Sequence, residues 1–357
     1  MNKFRIFLET VLFHFLIQPS KKIKSKKKQS AKFKMVRLQG NPIMSPTKNR
    51  EWESEGTFNP AVLSDHKDQV YMLYRALGKD GISRFGYAIS DSGENFENKL
   101  SYPVFSVQSK PVKINLKNYS KFEYPSGGGL GGAEDPRMVN IEGTIYVTFN
   151  TFDSWDNIRV TVVQIFEEDF YNQKFDWSKP EFISPANEIH KNWVLFPEKI
   201  NGKFAILHSI TPEIQIDYIQ DFKDLASGKV KIKSEFSKVK NTNSWDTWIR
   251  GVGPSPIKTK KGWLILYHAI NESFPHQYRL GAMLLDLNNP TKIIAKSPSH
   301  LIMPEMWYEN DWKLGVVYAC GAIIRDQQLH IYYGGGDKHI CLAKTPLDDL
   351  LCWMQNS

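Results

Sequence analysis

Residues 127–137 read GGGLGGAEDPR and place Glu134, Asp135 and Arg137 directly behind a run made almost wholly of glycine. Without a Cβ, such backbone can pass very close to a ligand or to another segment. A carboxylate before proline has a restricted backbone, and a neighbouring arginine tunes its proton affinity and orientation. These side chains could perform general acid–base work, or they could brace a loop as an acid–arginine cluster. Gly127, Gly129 and Gly132 formally satisfy GxGxxG. The context excludes a dinucleotide fingerprint, because AEDPRMV leads into the strand pattern TIYVTF and not into a helix. No metal-ligand set, serine-hydrolase elbow or catalytic-cysteine signature accompanies the motif.

The elements that must position these groups read as strands. Helical periodicity is scarce, and short runs rich in Tyr, Phe, Ile and Val alternate with Gly, Pro, Asn and Asp clusters. Five times such a strand is followed by a polar loop and a second strand. The first members are residues 69–77, 144–152, 203–210, 262–270 and 327–335, recurring at intervals of about 65 residues. The expectation is an all-β fold, a five-bladed β-propeller with a central active-site pocket; a pair of β-sandwiches is the plainer alternative. A propeller brings loops distant in sequence to one axis, where Asn59, Asp135, His208, His268 and Asp337 could meet. TPLDDLLCWM after the last pair suggests a short closing helix or tail.

Composition narrows the classes further. The 357 residues carry a formal charge of +8, but residues 1–40 hold 11 Lys and Arg against the single acid Glu9. The rest has 35 bases and 37 acids, a nearly neutral body that argues against a nucleic-acid partner. Residues 1–35 are expected to be a basic, disordered tail, with Met35 as a candidate true start, and 36–357 the catalytic domain. A membrane-surface or RNA-touching arm and a signal peptide are the tail's other readings. No stretch is long and apolar enough for stable membrane insertion. Cys320, Cys341 and Cys352 show no CxxC spacing; a reducing, cytoplasmic location fits them and a structural zinc does not. A homo-oligomer is compatible with the chain.

With these motifs in order, the chain resembles glycoside hydrolase family 130, the β-mannoside phosphorylases and β-mannosidases. The resemblance rests on AEDPR, on FNPAV (58–62) with YRA (74–76), and on SRFGYAISDSGENF (83–96). It continues through KNWVLFPEKINGKFAILH (191–208), GVGPSPIKTKKGWLILYHAI (251–270), YRLGAMLLDLNNP (278–290), CGAII (320–324) and YYGGGDKHICLA (332–343). It runs from about Val36 to Leu351 and implies a five-bladed propeller. It further implies that Asp135 is the proton donor, acting through the 3-hydroxyl of the mannosyl unit as a relay. Asn59, Arg75, Arg84, Glu134, Arg137, His268 and Asp337 are implied near the sugar, and Asp337 would suit two sugar hydroxyls at once.

The implied reaction is inverting phosphorolysis of β-mannoside oligosaccharides to mannose 1-phosphate, with no cofactor and with inorganic phosphate as co-substrate. Phosphate requires convergent cations, and Arg159, Lys191 and His208 fall near the family's basic positions. Hydrolytic β-mannosidase chemistry on the same fold is the alternative, with Glu305 and Glu309 as candidate water-activating carboxylates. A non-catalytic sugar-binding propeller is the third reading. Trp155, Trp245, Trp248 and Trp307 are candidates for stacking on sugar faces or for packing between blades.

Overall fold

A computed structural model of the chain describes residues 33, 35–108, 127–154, 157–234, 239–241 and 244–356. The chain enters through β1 (Val36–Arg37) and builds five antiparallel groups. The first holds β2 (Gly56–Ser64), β3 (Val70–Leu77), β4 (Ile82–Ser90) and β5 (Asn98–Lys99). The second holds β6 (Gly131–Ile141), β7 (Thr144–Ser154), β8 (Asn157–Phe166) and β9 (Glu181–Phe182). The third is β10 (Val194–Leu195), β11 (Phe204–Ser209) and β12 (Gln215–Ile219). The fourth is β13 (Trp248–Val252), β14 (Ile257–Thr259), β15 (Gly262–Asn271), β16 (Phe274–Leu285) and β17 (Ile293–Lys296). The fifth is β18 (Val317–Arg325), β19 (Gln328–Gly335) and β20 (His339–Pro346), and β1 completes it by pairing Val36 with Lys344. A short parallel contact, Ile82 and Ser83 of β4 with Gly131 and Gly132 of β6, joins the first two groups into one eight-stranded sheet. The closing segment is helical, Leu347–Gln355.

The five expected hairpins correspond to β3–β4, β7–β8, β11–β12, β15–β16 and β19–β20. Their apolar runs have a simple cause. Side chains alternate across a strand, and both faces of these sheets are covered. In β3, Tyr71 and Leu73 join one cluster, while Val70, Met72, Tyr74 and Ala76 join another. In β15, Trp263, Ile265, Tyr267 and Ala269 face one neighbour, and Leu264 and Leu266 the other. The core is thus divided into five clusters. Four lie between successive groups, and one joins residues of the fifth group to the first: Ile323, Tyr332, Ile340 and Leu342 with Val62, Val70 and Met72.

What the hairpin pattern does not contain is the strand that precedes it in each group. β2, β6, β13 and β18 each pair with the hairpin through a one-residue irregularity, at Phe58/Ala61, Glu134/Arg137, Ile249/Gly251 and Ala319/Gly321. A bulge bends a strand and re-aims a side chain. In β2 and β6 the bulge spans Asn59–Pro60 and Asp135–Pro136, and proline has no N–H for the interrupted ladder to leave unpaired.

Candidate active site

The paired bulges put Asn59 and Asp135 in the left-handed region, with φ of 49° and 52°. Asn and Asp tolerate that conformation better than other non-glycine residues. The two side chains meet: Asn59 Nδ2 donates to Asp135 Oδ1 at 2.8 Å. Arg75 of β3 reaches the same oxygen at 3.1 Å with one nitrogen and Glu134 Oε1 at 2.8 Å with another. Its Nε donates to Ser83 Oγ, and its guanidinium lies 4.7 Å from the centre of the Phe58 ring. Gly129 makes room for this pair, since a Cβ there would stand 2.6 Å from an Arg75 nitrogen and 2.8 Å from the Glu134 carboxylate. Arg137 closes the cluster from below, donating to the Asp135 carbonyl, Gly253 O, Asn192 Oδ1 and the Tyr318 hydroxyl.

Burial alone would raise the proton affinity of Asp135. Arg75 and Arg137, the Asn59 amide and Lys191 outweigh it and hold the carboxyl down to about 2. Asp135 is therefore held as a carboxylate by the protein groups around it. To serve as an acid it must be brought up by what binds, and an anion placed against the surrounding cations does that.

Asn59, Arg75, Asp135, Lys191, His208 and Asp337 line one cavity of about 430 Å³. Asp337 also has a positive φ, 51°, and receives Lys313 Nζ at 3.4 Å. Lys191 Nζ stands 3.8 Å from the second oxygen of Glu134. His208 Nε2 is 2.9 Å from Asp217 Oδ2. Two carboxylates, several cations and an amide thus surround a space large enough for a sugar unit. The family model described as beta-1,4-mannooligosaccharide phosphorylase, that of glycoside hydrolase family 130, matches residues 26–356. The chain belongs to this family.

Its relatives within family 130 agree over nearly the whole chain. It is 33% identical to the 1,2-beta-oligomannan phosphorylase of Thermoanaerobacter sp. (strain X514), over 89% of this chain and 99% of the relative. It is 30% identical to the Beta-1,2-mannobiose phosphorylase of the same organism, over 87% and 97%. The Listeria innocua Beta-1,2-mannobiose phosphorylase, solved with beta-1,2-mannobiose, aligns with a TM-score of 0.67 over 91% of this chain and all of that one; at 23% identity this establishes a common fold.

Not every residue that the family 130 resemblance implied reaches the cavity. Arg84 is held by Asp80, at 2.5 Å, and by the Ile82 carbonyl. Arg159 spends its Nε and one terminal nitrogen on Ser184 O and lies over the Phe182 ring. Glu134 and Arg137 are buried behind Asp135 and brace it. His268 is wholly buried, stacked at 3.9 Å on Tyr318, and its Nε2 accepts from the Ala319 N–H. Burial and Arg137 push its imidazole down to about 3, so it is neutral and fixes the Tyr318 ring. Glu309 is fully buried on Arg37 and the Tyr333 hydroxyl, and Glu305 also meets Arg37, so neither carboxylate lines the cavity. Trp245 packs on Tyr267, and Trp248 lies in β13 opposite Ile270. Trp307 is exposed beside His339, and Trp155 and the basic tail up to residue 32 lie outside the described residues.

Sequence reasoning missed Asn192, Arg250, Lys313 and Tyr318, all on the cavity wall. Asn192 has a φ of 64° and accepts from both Arg137 and Tyr318 at 2.8 Å. It directly follows Lys191, and that adjacency was its only signal. Arg250 sits within the fourth group's bulge, where the second group has Asp135.

Proposed function

We propose that this protein is an inverting glycoside phosphorylase that cleaves β-mannosides with inorganic phosphate and releases mannose 1-phosphate. The relatives' names support that reaction class, and both Thermoanaerobacter relatives bear a 1,2 linkage in theirs. The observation that carries the reading is the meeting of Asp135 with Lys191 and His208 in one cavity. In this reading Asn59 and Asp337 hold the mannosyl hydroxyls, and Arg75 fixes Asp135 beneath the sugar. Phosphate sits against Lys191 and His208 and attacks the anomeric carbon from the face opposite the leaving group, which inverts the configuration. Its charge offsets the cations that keep Asp135 ionised. Asp135 can then carry a proton and pass it through the sugar's 3-hydroxyl to the departing oxygen.

The architecture we infer around this cavity is the five-bladed propeller. Five antiparallel groups and five clusters that pair each group with the next, and the fifth with the first, support it. A reducing, cytoplasmic setting is compatible with three unpaired thiols, Cys320, Cys341 and Cys352. The test is direct. The protein is incubated with β-1,2-mannobiose, with and without inorganic phosphate. Mannose 1-phosphate formed only when phosphate is present supports the reading. Equal cleavage without phosphate, yielding free mannose, overturns it in favour of a hydrolase.

A further inference from the structure

Asp337 sits in the turn between β19 and β20, residues 336–338, and the segment that leads into β18 grips this turn. The Lys313 N–H donates to the Gly336 carbonyl at 2.9 Å, and the Gly336 N–H donates to the Val316 carbonyl at 3.0 Å. Two ion pairs cross the same boundary with opposite polarity. Asp311 of the segment receives Lys338 Nζ of the turn at 2.7 Å, and Lys313 Nζ of the segment stands 3.4 Å from Asp337 Oδ2. The close fit leaves the turn little room to shift, since a Cβ on Gly336 would stand 3.1 Å from the Tyr308 carbonyl oxygen and 3.2 Å from the Asp311 nitrogen.

The two pairs differ in what they face. Lys313 and Asp337 both line the cavity, with side chains 15% and 8% exposed, whereas Asp311 and Lys338 do not line it. A separation of 3.4 Å exceeds the roughly 2.7–2.9 Å of a charge-assisted hydrogen bond, so the ammonium acts on the carboxylate chiefly as a charge. The terminal torsion of an aspartate is broad, and a cation beside one oxygen narrows it. A second cation competes for the same carboxylate. Arg75 feels the charge of Asp337, and Gly127 lies between them: a Cβ there would stand 3.4 Å from an Arg75 nitrogen and 3.4 Å from the Asp337 carboxyl carbon. Arg75 already serves Asp135 and Glu134.

We propose that Lys313 is a positioning residue for sugar recognition, whose ammonium holds the Asp337 carboxylate toward the mannosyl hydroxyls and away from Arg75. The inference rests on the phosphorylase reading, which gives those hydroxyls to Asp337, and deepens it by naming the group that keeps Asp337 in place.

The test is a double-mutant cycle on wild type, Lys313→Met, Asp337→Asn and the double variant, with Lys313→Arg beside it. Lys313→Met keeps the side chain's length and the backbone bond to Gly336, and removes only the charge. Michaelis constants are measured for β-1,2-mannobiose at saturating phosphate and for phosphate at saturating mannobiose. Lys313→Met should raise the sugar constant about tenfold. The phosphate constant should move less than about twofold, and turnover at saturation less than about threefold. Lys313→Arg keeps the charge and should stay within about threefold of wild type. In Asp337→Asn the sugar constant is already raised, and adding Lys313→Met should change it less than about twofold, because the ammonium then has no carboxylate to hold. A lysine that merely supported the fold would multiply its effect onto that of Asp337→Asn. Effects that multiply, an arginine variant as weak as the methionine one, or a phosphate constant raised more than the sugar constant overturn the proposal and leave phosphorolysis intact. A sugar constant unchanged in Asp337→Asn overturns both the proposal and the assignment of Asp337 to the sugar. Cleavage that ignores phosphate overturns the phosphorylase reading alone, and the cycle on the sugar constant still decides the role of Lys313.

Discussion

In the proposed reaction a single carboxylate, Asp135, has to be both a firmly anchored charge in the cavity and a proton donor. Its two arginines and the Asn59 amide hold the carboxyl low, so in that reaction its acidity is set by the ligand. Asp135→Asn keeps the size and most of the contacts. Turnover is expected to fall by about 10²- to 10⁴-fold, with mannobiose binding retained, as read by steady-state kinetics and calorimetry. Lys191→Ala removes one charge-assisted contact worth about 1.5–3 kcal/mol, so the Michaelis constant for phosphate should rise about tenfold or more. The constant for the sugar should move less. A fall in sugar affinity larger than that in phosphate affinity would place Lys191 elsewhere.

The same chemistry makes a stability prediction with a definite sign. His268 is neutral when folded, held down to about 3, whereas an unfolded histidine titrates near 6.5. Between those values the unfolded chain binds more protons, so stability falls as pH drops below about 6.5. Asp135, held near 2, adds its own loss as pH falls below about 3.9. Melting temperature should decline from about pH 6 to about pH 4, and His268→Gln should show a shallower decline over that window. An unchanged slope would show that the imidazole is charged when folded.

At the scale of the element, the site is a property of bulged first strands and of glycines that let them approach. A Cβ on Gly334 of β19 would stand 2.1 Å from Asn59 Oδ1. The YYGGGD motif therefore serves Asn59 as well as Asp337. Gly334→Ala should push the Asn59 amide away from Asp135 and lower turnover, with the fall in melting temperature smaller than that of Arg75→Ala. That second change takes the guanidinium away from the buried Glu134 carboxylate, a loss of about 3–5 kcal/mol. This is also where the sequence became hard to read. The hairpins were legible because strands buried on both faces show unbroken apolar runs. The strands carrying Asn59 and Asp135 were not, because FNPAV and GGAEDPR break alternation with Pro and Gly and look like loops. Asp135, Asn59, Arg75 and Asp337 could be named from their motifs. Arg84 and Arg159 lie off the cavity wall here: a motif fixes a residue's position in the chain and says nothing of Asp80 or Ser184, which hold the two guanidiniums.

For the fold as a whole, the decisive contact is between the first and last described strands. β1 pairs with β20, and Arg37 reaches from β1 into the fifth group to donate to Glu309, which is fully buried. Two backbone N–H groups, of Glu305 and Met306, and the Tyr333 hydroxyl complete that carboxylate's partners. Just before β1, Met35 is buried in the cluster between the fourth and fifth groups, and the Phe33 ring stacks on Trp353 of the closing helix at 4.6 Å. These contacts set where the N-terminal segment can be shortened. Removing residues 1–31 is expected to leave the melting temperature unchanged, because the contacts of Phe33, Met35 and Arg37 all survive it. Removing residues through Lys34 deletes the Phe33 stack, worth about 0.5–1.5 kcal/mol beyond its area, and should cost a few degrees. Arg37→Ala is the severe case: it leaves Glu309 buried without its cation and should destabilise by about 3–5 kcal/mol, measured by urea unfolding. If Arg37→Ala were as stable as the wild type, while removal of residues 1–31 lowered the melting temperature by several degrees, the ends would be joined through the basic segment and not through Arg37 and Glu309.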